Sequence, residues 1–157
     1  MRQIIATIGY EGVEIDQFIS ALQKENINLL IDVRDLPLSR KRGFSKNKLA
    51  EILSDYGISY IHLRGLGDPK PGREAARAGD YTRFQRIFRA HLRSDVAQTD
   101  LAQAADLALN YRACLMCYEA DHVHCHRSIV ADSLAQVTGL TIRPLTTENA
   151  PRRRMAA

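Results

Sequence analysis

The stretch LLIDVR at residues 29–34 decides the fold. Its first five residues are almost continuously apolar, the pattern of a strand covered on both faces, and such strands belong to parallel sheets sheathed by helices. Residues 4–8 (IIATI) and 112–117 (RACLMC) repeat that pattern. Residues 59–63 (SYIHL) and 141–145 (TIRPL) are also β-like. Pro144 marks the last as an edge strand, because proline donates nothing to a ladder.

Amphipathic helical patterns lie between these runs. Ile15, Phe18, Ile19 and Leu22 recur at helical spacing, as do Leu49, Ile52, Leu53 and Tyr56, with Ser45 as N-cap and Gly57 as stop. Tyr81, Phe84, Phe88 and Leu92 form a third stripe, and Leu101, Ala104, Ala105 and Ala108 a fourth. Ile129, Val130, Leu134 and Val137 form a fifth, closed by Gly139. The order β-α-β-α-β-α-α-β-α-β predicts an α/β three-layer sandwich with a mostly parallel sheet of about five strands. Residues 64–79 (RGLGDPKPGREAARAG) read as a Gly/Pro-rich loop able to act as a lid.

At 157 residues the chain suits one domain, read as residues 1–147 with a flexible basic tail at 148–157. That length buries roughly 68–70% of the unfolded surface, enough for a core without staples. With 45% hydrophobic and 25% charged residues, disorder, collagen and coiled coil are excluded for the whole chain. Apolar runs are too short to span a membrane and the N-terminus lacks a signal-peptide pattern, so a cytoplasmic protein with no membrane partner is expected. Three cysteines, Cys114, Cys117 and Cys125, do not make a disulfide scaffold. The net charge of +4 is unevenly placed. Arg152, Arg153 and Arg154 carry +3, and residues 34–48 carry +5, leaving an acidic remainder. Such segregation suits an anionic partner, a small molecule or nucleic acid, though a solvated surface looks the same.

Ligands of open parallel sheets bind beyond the C-terminal strand ends. There the sequence puts Gly9-Tyr10-Glu11, Asp32 with Arg34, His62, and Cys117 with Glu119. Asp32 interrupts an apolar run and needs a partner; Arg34, two residues on, shares its face. The pair reads either as a device that orients a ligand-binding guanidinium or as a buried ion pair without a ligand. Cys125-His126-Arg127 falls at the start of the last helix, where free N–H groups attract anions and lower a thiol pKa. Arg127 adds a fork for phosphate or carboxylate, and His126 a base or proton donor. Arg40 and Phe44 lie in the basic segment, Phe44 available to stack on a base.

Cys117, His122, His124, Cys125 and His126 offer zinc ligands, but their spacing matches no paired C-x-x-C arrangement, and no metal is expected. Cys114 and Cys117 are three apart on a strand and face opposite sides, so Cys114 reads as core. A cysteine phosphatase needs its arginine six residues after the cysteine, whereas Arg127 follows Cys125 by two. No G-x-G-x-x-G or P-loop occurs, so no nucleotide cofactor is signalled.

The ordered set Thr7-Ile8-Gly9, Asp32-Val33-Arg34, Pro37, Ser39-Arg40, Phe44, Leu66-Gly67, Cys117, Glu119 and Cys125-His126-Arg127 resembles the bacterial domain-of-unknown-function family DUF488. The resemblance implies a single α/β domain and brings no established activity. His122 and His124 stand outside the pattern, which tells against zinc held by them. The leading expectation is a small enzyme on a phosphate-bearing substrate, nucleotide or nucleic acid. Gly9, Asp32, Arg34, Ser39, Arg40 and Arg127 would form the anion site. Cys117 or Cys125 would be the nucleophile, and Glu119 or His126 the acid/base. A non-catalytic nucleic-acid or nucleotide binding module is the alternative, and a thiol redox protein using Cys117 and Cys125, or a zinc-binding protein, a further one. The sequence leaves the oligomeric state open.

Overall fold

A computed structural model describes residues 3–122 and 124–147. The strands are β1 (Ile4–Gly9), β2 (Leu29–Asp32), β3 (Ser59–His62), β4 (Ala113–Cys117) and β5 (Thr141–Pro144). The helices are α1 (Ile15–Lys24), α2 (Lys46–Asp55), α3 (Lys70–Arg77), α4 (Tyr81–Leu92), α5 (Asp95–Asn110) and α6 (His126–Thr138). The sheet is wholly parallel, in the order β3-β2-β4-β1-β5. Pro144 sits in edge strand β5, and the three near-continuous apolar runs form the buried centre of the sheet.

Alternation along each strand divides the core. Ala6, Ile8, Leu30, Cys114 and Met116 face Phe18, Leu22, Leu49 and Leu53 of α1 and α2. Ile5, Ile31, Leu115 and Cys117 face Phe84, Phe88, Ala104, Ile129 and Leu134 of α4, α5 and α6. Helices on both faces make the three layers. Cys114 and Cys117 lie on opposite faces, as a strand's period of two requires. Three outer positions of the helical stripes differ from the reading: Tyr56, Tyr81 and Val137 are exposed, because each lies at a helix end beyond its apolar neighbours.

The main departure is at 64–79. The predicted lid loop is a 3₁₀ turn (Arg64–Leu66) followed by α3. Pro71 stands in the first turn of α3, where a missing N–H costs nothing. A Cβ at Gly72 would overlap Oδ1 of Asp68, so a larger residue there would have to move that carboxylate. Proline and glycine thus serve a helix start here. Among the described residues, no helix is long and apolar enough to cross a membrane. The basic tail at 148–157, with Arg152, Arg153 and Arg154, lies outside the described residues.

From β1 the chain winds through β2 to β3, then returns to β4, between β2 and β1, and finally passes to β5 on the far side. Winding reverses between β1 and β4, and such a switch point leaves a crevice beyond the strand ends. Gly9 of β1 is level with Cys117 of β4, so both strands end at the same height over it.

Candidate functional site

Beyond those ends lies a cavity of about 570 Å³. Its walls come from the segments after β1, β2 and β4, and from α3 and the start of α4. Several backbone features set its shape. Past β1, the Tyr10 and Glu11 amides donate to the carbonyls of Cys117 and Tyr118 at 3.3 and 2.8 Å, so the two chains stay paired beyond the sheet. Glu11 returns its carboxylate to the Ala120 amide at 3.1 Å. This approach requires glycine at position 9, since a Cβ would overlap the Glu119 carbonyl oxygen. Gly9 therefore packs under the loop after β4.

Arg34 is 5% exposed and at the cavity edge. Its Nε and Nη2 donate to Asp32 at 2.9 and 2.8 Å. Nη1 donates to the Tyr10 hydroxyl at 3.1 Å and the Phe44 carbonyl at 2.7 Å. Asp32 also accepts from the Tyr60 hydroxyl at 2.5 Å. Burial works to lower the Arg34 pKa, and the Asp32 carboxylate more than reverses it, so the guanidinium stays charged. Of the two readings of this pair, the geometry favours a structural tie between β2, Tyr10 and the following loop.

Arg127 is more deeply set, at 1% exposure. Nη1 donates to Cys117 Sγ at 3.1 Å and to the Glu119 carbonyl, and Nη2 to the Ala120 carbonyl at 3.3 Å. Nε has no partner, and no carboxylate pairs with this guanidinium among the described residues. Burial lowers its pKa. The fork expected to grip an anion instead holds the loop after β4. Arg40 is exposed and outside the cavity lining. Phe44 is fully buried, stacked on Tyr10 with centroids 4.4 Å apart and edge-on to Phe18, so it cannot stack on a ligand. From the basic segment, Arg34, Leu36, Leu38 and Ser39 reach the cavity, together with Asp35. Lys41 pairs with Glu14 and Lys48 with Glu51.

Four of the expected reactive side chains do converge. The ligating atoms of Cys117, Glu119, Cys125 and His126 all lie within 4.8 Å of one another. Cys117, Glu119 and His126 line the cavity, and Cys125, the N-cap of α6, sits beside them. The sulfurs of Cys117 and Cys125 are in disulfide contact, with Cα atoms 7.7 Å apart. Glu119 Oε1 is 3.6 Å from Cys117 Sγ and 3.3 Å from Cys125 Sγ. His126 Nε2 is 2.6 Å from the Val33 carbonyl, an acceptor, so Nε2 carries the proton and Nδ1 faces Cys125 Sγ at 3.8 Å. Burial drives the His126 pKa down to about 4, so the ring is neutral near pH 7. Burial also raises Glu119. His122 is bonded to Thr7 and His124 to Asp121, apart from this group.

Residues that sequence reasoning missed complete the walls. Arg73 and Arg77 of α3 bring positive charge, Arg73 held by Asp35 at 2.8 Å. Tyr81 stacks on His124 with centroids 4.2 Å apart. Asp68 is 5% exposed, and its Oδ1 has no hydrogen-bond partner. Burial, reinforced by the charge of Glu119, pushes Asp68 up to about 7 against the pull of Arg73. The signal for these residues was the amphipathic run of α3, hidden by its Pro-Gly start.

A family model described as "Domain of unknown function DUF488" matches residues 14–134. No curated protein and no solved structure matches the chain.

Proposed function

The chain belongs to the DUF488 family, and from that premise we propose that it is a small enzyme acting on a phosphate-bearing substrate of nucleotide type, bound in the rim cavity. The observation that carries this reading is the convergence of Cys117, Glu119, Cys125 and His126 at an open cavity of about 570 Å³. That volume falls within the range of small-molecule sites, roughly 300–1,000 Å³.

The walls suit such a ligand in two ways. Arg77 makes no ion pair among the described residues, so it can take an incoming anion. Arg73, shared with Asp35, adds a second cation. Tyr81, Tyr118 and His124 offer planar surfaces to a base or similar ring. Asp68, with a pKa of about 7 and an unpartnered oxygen, is suited to general acid–base work near neutrality. In this reading Arg34 and Arg127 are positioning residues, and Cys117 is the sulfur that faces the substrate.

The test is equilibrium binding of inorganic phosphate and a panel of nucleoside mono- and diphosphates, followed by thermal shift and calorimetry. Binding weakened about tenfold in Arg77→Ala, a loss of about 1.4 kcal/mol, is expected. A panel that leaves the protein's melting temperature unchanged would overturn the reading. The exposed Arg40 and Arg42 support a second reading, a nucleic acid gripped outside the cavity. It requires affinity that falls steeply with salt.

A further inference from the structure

We propose that Cys117, Glu119, Cys125 and His126 form a binding site for a zinc-class divalent cation, held by two thiolates, one carboxylate and one imidazole. The inference adds a metal to the cluster on which the proposed function rests. It stands on how the four donors are held.

The first ground is mutual distance. In a tetrahedral zinc site with Zn–S bonds of about 2.3 Å, the two sulfurs stand about 3.8 Å apart. Four donor atoms drawn from four side chains lie within 4.8 Å of one another, close enough to meet on one ion once the Cys117–Cys125 contact is reduced and the sulfurs part. The two cysteines' Cα atoms are 7.7 Å apart. Protein disulfides hold theirs at about 4.4–6.8 Å. That backbone spacing leaves room for a third atom between the two sulfurs of the reduced form.

The second ground is the histidine. Its Nε2 proton is donated to the Val33 carbonyl at 2.6 Å, which fixes the tautomer and leaves the Nδ1 lone pair directed into the cluster. Histidines that ligate metals are oriented in this way, by a backbone or carboxylate acceptor on the far nitrogen. His126 is 7% exposed, and its Nδ1 meets Cys125 Sγ, itself one of the four donors, at 3.8 Å.

The third ground is charge. Arg127 is buried with no carboxylate partner among the described residues, and its Nη1 donates to Cys117 Sγ at 3.1 Å. A buried cation needs a nearby negative charge. Two thiolates and the Glu119 carboxylate around a divalent ion leave one net negative charge beside Arg127, so metal uptake keeps the balance that the carboxylate gives the dithiol form. Uptake from the dithiol form converts two S–H groups and one divalent ion into two metal–sulfur bonds and two released protons, with no change of oxidation state. Cys117, Glu119 and His126 line the cavity, so the ion would sit at its floor. The sequence offered Cys117, Cys125 and His126 as zinc ligands but no paired C-x-x-C spacing, because the set is one strand end, one loop residue (Glu119) and one helix start.

The test uses the full chain, reduced and freed of metal, then titrated with zinc and with cobalt(II). Expected are about one zinc per chain by elemental analysis, about two protons released per zinc, and a cobalt spectrum with sulfur-to-metal charge transfer and intense tetrahedral visible bands. Cys117→Ser and Glu119→Gln should each weaken zinc at least tenfold, and Cys114→Ala, altering a cysteine on the opposite face, should not. Circular dichroism separates loss of ligand from loss of fold, and Glu119→Gln, at a half-buried position, keeps the test open should a cysteine variant unfold. Reduced wild-type protein that takes up no zinc, or cobalt bands unchanged in Cys117→Ser, would overturn the site. Because no arm reads activity, metal uptake without phosphate binding would sink only the proposed function. Phosphate binding without metal uptake would sink only this inference.

Discussion

Asp68→Asn isolates the electrostatic cost of the cavity. In the folded protein the Asp68 carboxyl is raised from 3.8 to about 7, first by burial and then by Glu119. A raised carboxyl pKa means that the folded state holds a proton which the unfolded chain releases. The stability this contributes is fully present below about pH 4 and is lost as pH rises through about 7. Three pKa units correspond to a ceiling of about 4 kcal/mol at 1.36 kcal/mol each. Between about pH 5 and about pH 8, with water in the open cavity screening the charge, about 2 kcal/mol of it should be seen. Asparagine keeps the shape of the neutral acid and carries no charge at any pH. Urea unfolding of both proteins at those two pH values is the assay. The variant should gain on wild type by about 2 kcal/mol between the lower pH and the higher. A stability difference that is the same at both pH values would refute the buried, poorly partnered carboxylate, and with it the acid–base role.

Other expectations are independent of this one. Asp35→Asn should show the opposite sign: burial works to raise Asp35, but Arg73 and Arg64 outweigh it and hold it below its usual range. Its stabilisation is present above the unfolded pKa and lost as pH falls, so the variant should lose most near neutrality and least in acid, as read by thermal melting across pH. Asp32→Ala strands the buried Arg34 and should cost about 3–5 kcal/mol in chemical denaturation. Gly9→Ala forces a Cβ into the Glu119 carbonyl and should displace the loop after β4, lowering both the melting temperature and zinc uptake, whereas Gly12→Ala, with open space around it, should leave zinc uptake unchanged.

Much of the fold was legible because hydrophobic period carries it. Three apolar runs became the three inner strands, and Pro144 marked an edge. What failed did so for local reasons. Pro71 and Gly72 read as loop, yet they sit in the first turn of a helix, where proline is tolerated and where glycine leaves the Asp68 carboxylate in place. Phe44 read as a stacking surface because it follows a basic run, but Gly43, at φ 91°, turns the chain so that the ring enters the core. For the site, residue type and strand-end position brought Cys117, Glu119, Cys125 and His126 into view. They could not show which charges would be free, since that depends on partners from distant segments.

The arginines make the point most sharply. Sequence position places Arg34 and Arg127 at the crevice, and they do lie there, but each is buried and engaged by groups of the protein itself. A guanidinium has donors in a fixed plane, and burying it is stable only when those donors are met. Arg34 ties the end of β2 to Tyr10 after β1 and to the loop at Phe44, while Arg127 ties α6 to the loop after β4. Removing either would loosen the edges of the cavity before it removed any ligand contact. Cations that meet a ligand must instead be ones whose desolvation is small, and these are Arg73 and Arg77 on α3, the helix hidden by its own Pro-Gly start. The distinction is measurable by urea denaturation and phosphate titration on the same variants. Arg127→Met should destabilise the fold and distort the cysteine cluster, whereas Arg77→Met should leave the unfolding curve where it is and weaken phosphate alone.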